Sequence, residues 1–198
     1  LPVKEEFQNV TIEVNRENTV EESIWVLLGS KQNVRIGLVY APQESRTIKH
    51  ELNLIYKRIK KEIKEAREKS QRVVIMGVFN CKVGKKIKGN TEETTKGGKM
   101  LLDIIKKEKM EIVNAVEKCN GKWTRTEKEK RSIIDYTIIK EEDIQNIEKV
   151  TIDEEKVITP YRIIKREGAI EEIFSDHNAI ICQMKYKKQN DEIVPIKG

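Results

Sequence analysis

Seven consecutive apolar residues, Val73-Val74-Ile75-Met76-Gly77-Val78-Phe79, constrain this chain more than any other stretch. A run this short and this rich in β-branched residues reads as a strand covered on both faces. The segment before it supplies one cover. Over 45–69 the residues Ile48, Leu52, Ile55, Ile59, Ile63 and Ala66 recur at steps of three and four, with Lys, Arg and Glu on the other faces. That spacing predicts an amphipathic helix packed on a sheet. Further strands are expected at Ile24-Trp25-Val26-Leu27-Leu28 and at Val34-Arg35-Ile36-Gly37-Leu38-Val39-Tyr40, joined by a turn over 29–33. A strand over 10–14 is expected beside them. Downstream, the pattern predicts a polar loop over 80–95, a helix over 99–107, and strands over 110–115, 133–139 and 178–184. Strands mixed with covering helices indicate an α/β layered fold.

The bounds are simple. The 198 residues suit one domain over 1–186, followed by a polar tail over 187–198. No apolar stretch approaches the roughly 20 residues of a membrane span, and no leader-like N-terminus is present, so no membrane partner is expected. Three cysteines without a Cys-x-x-Cys pair argue against zinc and against a disulfide framework. An intracellular setting, nuclear or cytoplasmic, is expected. A net charge of +6 is compatible with an anionic partner such as nucleic acid, although Lys abounds throughout the chain.

Four strand-edge sites concentrate the chemistry. The first is Tyr40-Ala41-Pro42, and the second Gly77-Val78-Phe79-Asn80. The third is Arg131-Ser132-Ile133-Ile134-Asp135-Tyr136, and the fourth Ser175-Asp176-His177. Asp135 interrupts an apolar strand, so its carboxylate must be paired or lie in a polar cleft, because burying it alone costs several kcal/mol. Taken alone, Tyr40 equally suits a core aromatic, and Asn80 a turn residue that ends a strand.

In this order, the four sites resemble the endonuclease/exonuclease/phosphatase superfamily, and most of all its branch of endonucleases attached to non-LTR retrotransposon reverse transcriptases. That branch carries Tyr-x-Pro, Gly-Asp-Phe-Asn, Arg-Ser-x-Ile-Asp-Tyr and Ser-Asp-His. Thr95-Lys96-Gly97-Gly98 and Asn114-Ala115 extend the similarity, which covers about residues 20 to 186. The resemblance implies a deoxyribonuclease-like sandwich of two mixed β-sheets flanked by helices. It implies Mg²⁺-assisted hydrolysis of a DNA phosphodiester, and a reverse transcriptase domain in the parent polyprotein. Carried over, Tyr40 contacts the phosphate or leaving group, and Asn80 orients the water or a phosphate oxygen. Asp176 stands on the metal side of the cleft. His177 contacts the scissile phosphate, and Asp135 accepts its other ring N–H.

Two departures bear on activity. Val78 stands where the family has an aspartate that activates or orients the water, and general acid–base help is worth about 10²–10⁴-fold. The family's upstream motifs, including a metal-binding glutamate, have no counterpart in matching context among Glu5, Glu6, Glu13, Glu21 and Glu22. The chain is therefore expected to be an N-terminally truncated copy, lacking the first part of one sheet, with metal binding weakened and activity impaired. The alternative is a non-catalytic nucleic-acid-binding remnant, for which Lys82, Lys85, Lys86 and Lys88 are candidate phosphate contacts.

Overall fold

In a computed structural model of the chain, residues 12–15, 23–28, 34–43, 49–158, 161–166 and 169–185 are described. The element order begins β1 (Ile12–Asn15), β2 (Ser23–Leu28), β3 (Val34–Tyr40), α1 (Lys49–Glu68), β4 (Arg72–Val78) and α2 (Lys96–Glu108). It continues with β5 (Met110–Ile112), β6 (Cys119–Asn120), β7 (Arg125–Glu127), β8 (Lys130–Ser132) and β9 (Asp135–Lys140). The last four are β10 (Ile147–Ile152), β11 (Tyr161–Arg166), β12 (Ala169–Phe174) and β13 (Ile180–Met184).

The central sheet has six strands in the order β1-β2-β3-β4-β9-β5, with β3 and β4 parallel and the other pairs antiparallel. A second, three-stranded sheet runs β13-β10-β6 and is also mixed. Two hairpin ribbons, β7-β8 and β11-β12, complete the described strands. This is the α/β sandwich of two mixed sheets flanked by helices. None of the described helices is long and apolar enough to cross a membrane.

The apolar run of β4 explains the layering. Side chains alternate across a strand, so Val73 and Ile75 join Ile55, Ile59 and Ile63 of α1 and Leu101 and Ile105 of α2 in one core. Val74 turns the other way, into a second cluster with Ile139 of β9, Ile147 and Val150 of β10 and Ile180 of β13. Helices therefore cover one face of the central sheet and the smaller sheet covers part of the other. Beneath α1 lies a buried ionic network in which Arg35 contacts Glu62, Glu65 and Gln71, while Arg58 also contacts Glu62. Each charge there has an opposite partner, as burial demands.

Several expectations need adjustment. The strand expected over 110–115 ends at Ile112, and Val113–Ala115 form a 3-10 turn. The strand expected from residue 133 starts at Asp135, and the second helix begins at Lys96, three residues earlier than expected. The turn over 29–33 and the tail over 187–198 lie outside the described residues.

Gly77 is the tightest point of the central sheet. Its φ is +141°, and a Cβ there would sit 1.9 Å from the carbonyl oxygen of Val39 on the parallel neighbour. Only glycine combines that backbone with that approach. Gly77→Ala should cost about 3 kcal/mol or more in urea denaturation. A loss below about 1 kcal/mol would contradict this packing.

Candidate active site

The carboxyl ends of β3 and β4 and the start of β9 meet at one edge of the central sheet. In the register, Tyr40 pairs with Val78 and Val78 pairs with Asp135. Paired residues on adjacent strands present side chains to the same face. Tyr40, Val78 and Asp135 therefore stand in a row on the face turned toward the second sheet. Tyr40 is 57% exposed, so its hydroxyl is available to a ligand rather than locked in a core.

Asn80 follows where β4 ends. Its φ of +46° is a left-handed conformation that asparagine tolerates better than most residues. Its side-chain Nδ2 donates to the Ala41 carbonyl at 2.8 Å, tying the exit of β4 to the exit of β3. The Ala41 amide in turn donates to the Val78 carbonyl at 2.7 Å.

Asp135 is buried and held from several sides. Its backbone amide donates to Thr124 Oγ1 at 3.1 Å, and its carbonyl accepts from Asn114 Nδ2 at 3.1 Å. Its Oδ1 accepts a hydrogen bond from His177 Nδ1 at 2.8 Å, while its Oδ2 has no hydrogen-bond partner. That contact orients the imidazole with Nε2 turned away from Asp135, 4.0 Å from Asp176 Oδ1. The hydrogen bond to Asp135, reinforced by the charges of Asp135 and Asp176, raises the His177 pKa above its ordinary value against burial and Arg125.

The Ser175-Asp176-His177 segment is pinned before β13. The His177 amide donates to Ser175 Oγ, and Lys156 Nζ donates to the carbonyls of Ser175 at 2.7 Å and His177 at 3.0 Å. Burial lowers the Lys156 pKa against the pull of Asp176 and Asp153. A β-bridge pairs His177 with Arg125, and Thr126 N donates to the Asp176 carbonyl at 2.7 Å. Arg125 Nε donates to Asp176 Oδ2 at 2.7 Å. Burial alone would raise the Asp176 pKa, but the Arg125 hydrogen bond and the His177 charge hold it below the usual carboxylate range.

The structure thus places Asp135, Asp176 and His177 in direct or near contact, Tyr40 in register with them through Val78, and Asn80 on the same strand ends. Three further residues complete the arrangement: Thr124 and Arg125, which sequence reasoning passed over, and Asn114, which it noted in the resemblance without a role. Thr124 and Arg125 lie at the mouth of the β7-β8 hairpin, whose Thr126 and Arg131 flank a charged turn. That alternation is the signal available for them. The loop lysines are less free than expected, since Lys82, Lys86 and Lys88 pair with Glu92, Glu111 and Glu117.

The Mg²⁺ implied by the resemblance does not fit the described donors. Among the described residues no group of three His, Cys, Asp or Glu side chains comes together around a possible ion. Asp135 is matched to His177 and Asp176 to Arg125, whereas Mg²⁺ binds through carboxylates free to face it.

Solved structures share this fold. A 3′ phosphatase, NExo, from Neisseria, bound to a product DNA hairpin, superposes with a TM-score of 0.62 at 12% identity, covering 90% of this chain and 71% of that one. The endonuclease domain of TRAS1, a telomere-specific non-LTR retrotransposon, gives 0.57 at 18% identity, covering 91% and 71%. An AP endonuclease from Archaeoglobus fulgidus gives 0.59 at 12% identity, covering 90% and 71%. No curated protein matches the sequence. The architecture is that of the endonuclease/exonuclease/phosphatase class. Within it, the endonuclease-reverse transcriptase family profile matches residues 34–181, and the chain belongs to that family.

A raised histidine pKa gives a signed prediction. A group whose folded pKa lies above its unfolded one adds stability that is complete below the unfolded pKa, near 6.5 for imidazole, and is lost as pH rises through the folded value. The stability gap between the unmodified chain and His177→Gln should therefore be widest at mildly acidic pH and shrink on going alkaline. Urea melts across that range check it, and a gap that widens with pH would contradict the Asp135–His177 contact.

Proposed function

We propose that this chain is a retrotransposon-type DNA endonuclease domain whose cleft still recognises a phosphodiester but hydrolyses it poorly. The single observation that carries the reading is the Asp135–His177 hydrogen bond, built at the strand edge that Tyr40 and Asn80 share. With Nδ1–H donated to Asp135, a charged His177 has its second proton on Nε2 and offers it outward to a phosphate oxygen. The exposed Tyr40 hydroxyl is a second donor at the same rim. Asn80, anchored on Ala41 by its Nδ2, keeps the amide oxygen as an acceptor for a water or a sugar hydroxyl.

The weak half of the site is position 78. Valine has no lone pair, so nothing there takes a proton from water as it attacks phosphorus. A carboxylate restored at that position would face the same side as Asp135, its direct cross-strand partner. Two opposed carboxylates cost stability, about 1 kcal/mol.

A second reading, a binding module without turnover, is favoured by Val78 itself, which closes the apolar run of β4. It predicts salt-sensitive DNA binding without nicking.

Nicking of supercoiled plasmid with Mg²⁺ separates the two. The unmodified chain should nick slowly. Val78→Asp, alone or combined with Arg125→Gln, should raise the rate by about 10²-fold or more, and His177→Gln should abolish that gain. Rapid nicking by the unmodified chain would overturn the impairment, and no gain in either variant would overturn the endonuclease reading.

A further inference from the structure

Asp176 is the carboxylate that the endonuclease reading assigns to a metal, yet its partner in the structure is a guanidinium. Arg125 Nε donates to Asp176 Oδ2 at 2.7 Å, and Arg125 Nη2 donates to Glu127 Oε2 at 3.0 Å. This is more than a loose surface pair. The Arg125 side chain is 24% exposed. Its backbone is held by pairing of β7 with β8 and by the bridge to His177. The amide of the next residue, Thr126, donates to the carbonyl of Asp176 itself. Guanidinium and carboxylate are thus positioned by the backbone on both sides.

The charges around Asp176 alternate without a gap. Asp135 meets His177, His177 approaches Asp176, Asp176 meets Arg125, and Arg125 meets Glu127. Lys156, spent on the carbonyls of Ser175 and His177, adds a further cation beside the segment. Mg²⁺ is held through one or two carboxylates together with its own waters, and a cation already bonded to such a carboxylate competes with it. Here Asp135, Asp176 and Glu127 each face a cation, while Asp153 near Lys156 accepts the Val157 and Ile158 amides. A metal at Asp176 would face Arg125 at short range.

We propose that Arg125 stands on Asp176 in place of a divalent metal, so that the cleft presents a fixed organic cation where its relatives' reading calls for Mg²⁺. The inference rests on the metal-side role of Asp176 within the endonuclease reading. Arg125 is then a positioning residue that decides whether the site can be metallated. It keeps Asp176 occupied and its own charge permanent, because a guanidinium does not deprotonate in proteins. A phosphodiester ligand accordingly meets Arg125 and His177 without a metal between them.

The test is Mn²⁺ binding to the full chain, followed by electron paramagnetic resonance, with nicking left aside. The unmodified chain should bind Mn²⁺ weakly. Arg125→Gln should bind it about tenfold tighter or more, the worth of one charge-assisted hydrogen bond. Asp176→Asn in that background should cancel the gain, which identifies the freed carboxylate. If the glutamine variant melts early, Arg125→Met keeps the packing of the stem and should show the same gain. Equal affinity with and without Arg125 would overturn the proposal, as would a gain that survives Asp176→Asn. A gain in Mn²⁺ binding without nicking by any Val78→Asp variant would leave this inference standing and remove the endonuclease reading. Nicking by Val78→Asp with no gain in Mn²⁺ binding on removing Arg125 would do the reverse.

Discussion

The hydrogen bond between Asp135 and His177 joins the two sheets at the cleft. Asp135 opens β9, an inner strand of the six-stranded sheet beside β4, and His177 precedes β13 of the three-stranded one. A carboxylate as buried as Asp135 is tolerable only with a partner, and the imidazole 42 residues away supplies it. The segment carrying His177 must therefore approach the end of β4. Thr124, Asn114 and Lys156 serve that same approach, since each fixes a backbone group of Asp135 or of the Ser175–His177 segment. The cleft is as much a consequence of satisfying buried polar groups as of packing apolar ones.

Much of this architecture is written locally. The run of β4 and the stripe of α1 declare a strand between two covers, and both covers exist. Asp135 declares a polar cleft because an ionised group cannot stand alone between Ile134 and Tyr136. Other parts are not local. The sequence Ile147-Glu148-Lys149-Val150-Thr151-Ile152 carries a broken apolar pattern, and it is a strand because β13 and β6 pair with it from either side. Val113–Ala115 look extended but tighten into a turn, which lets Asn114 reach both Asp135 O and Thr137 N. The Arg125–Asp176 contact spans 51 positions, and no local pattern announces it.

Two features of the cleft, one of them a departure from the family pattern, act in the same electrostatic direction. Valine at position 78 removes a negative charge from the row that Asp135 begins, and Arg125 adds a positive one beside Asp176. Relative to a site with an aspartate at 78 and no cation at 125, the cleft is two charges more positive. That favours holding an anion and disfavours both a metal ion and the abstraction of a proton from water. Binding and hydrolysis, coupled in a metal-dependent nuclease, are here expected to separate.

With only two histidines in the chain, His50 and His177, the imidazole ring signals form a simple spectrum in which His177→Gln identifies the signal of interest. Titrating a short DNA duplex into the protein at low salt, without divalent metal, should shift the His177 ring resonance progressively to saturation. A duplex that binds while leaving that resonance where it was would contradict the claim that the Asp135–His177 edge receives the phosphodiester.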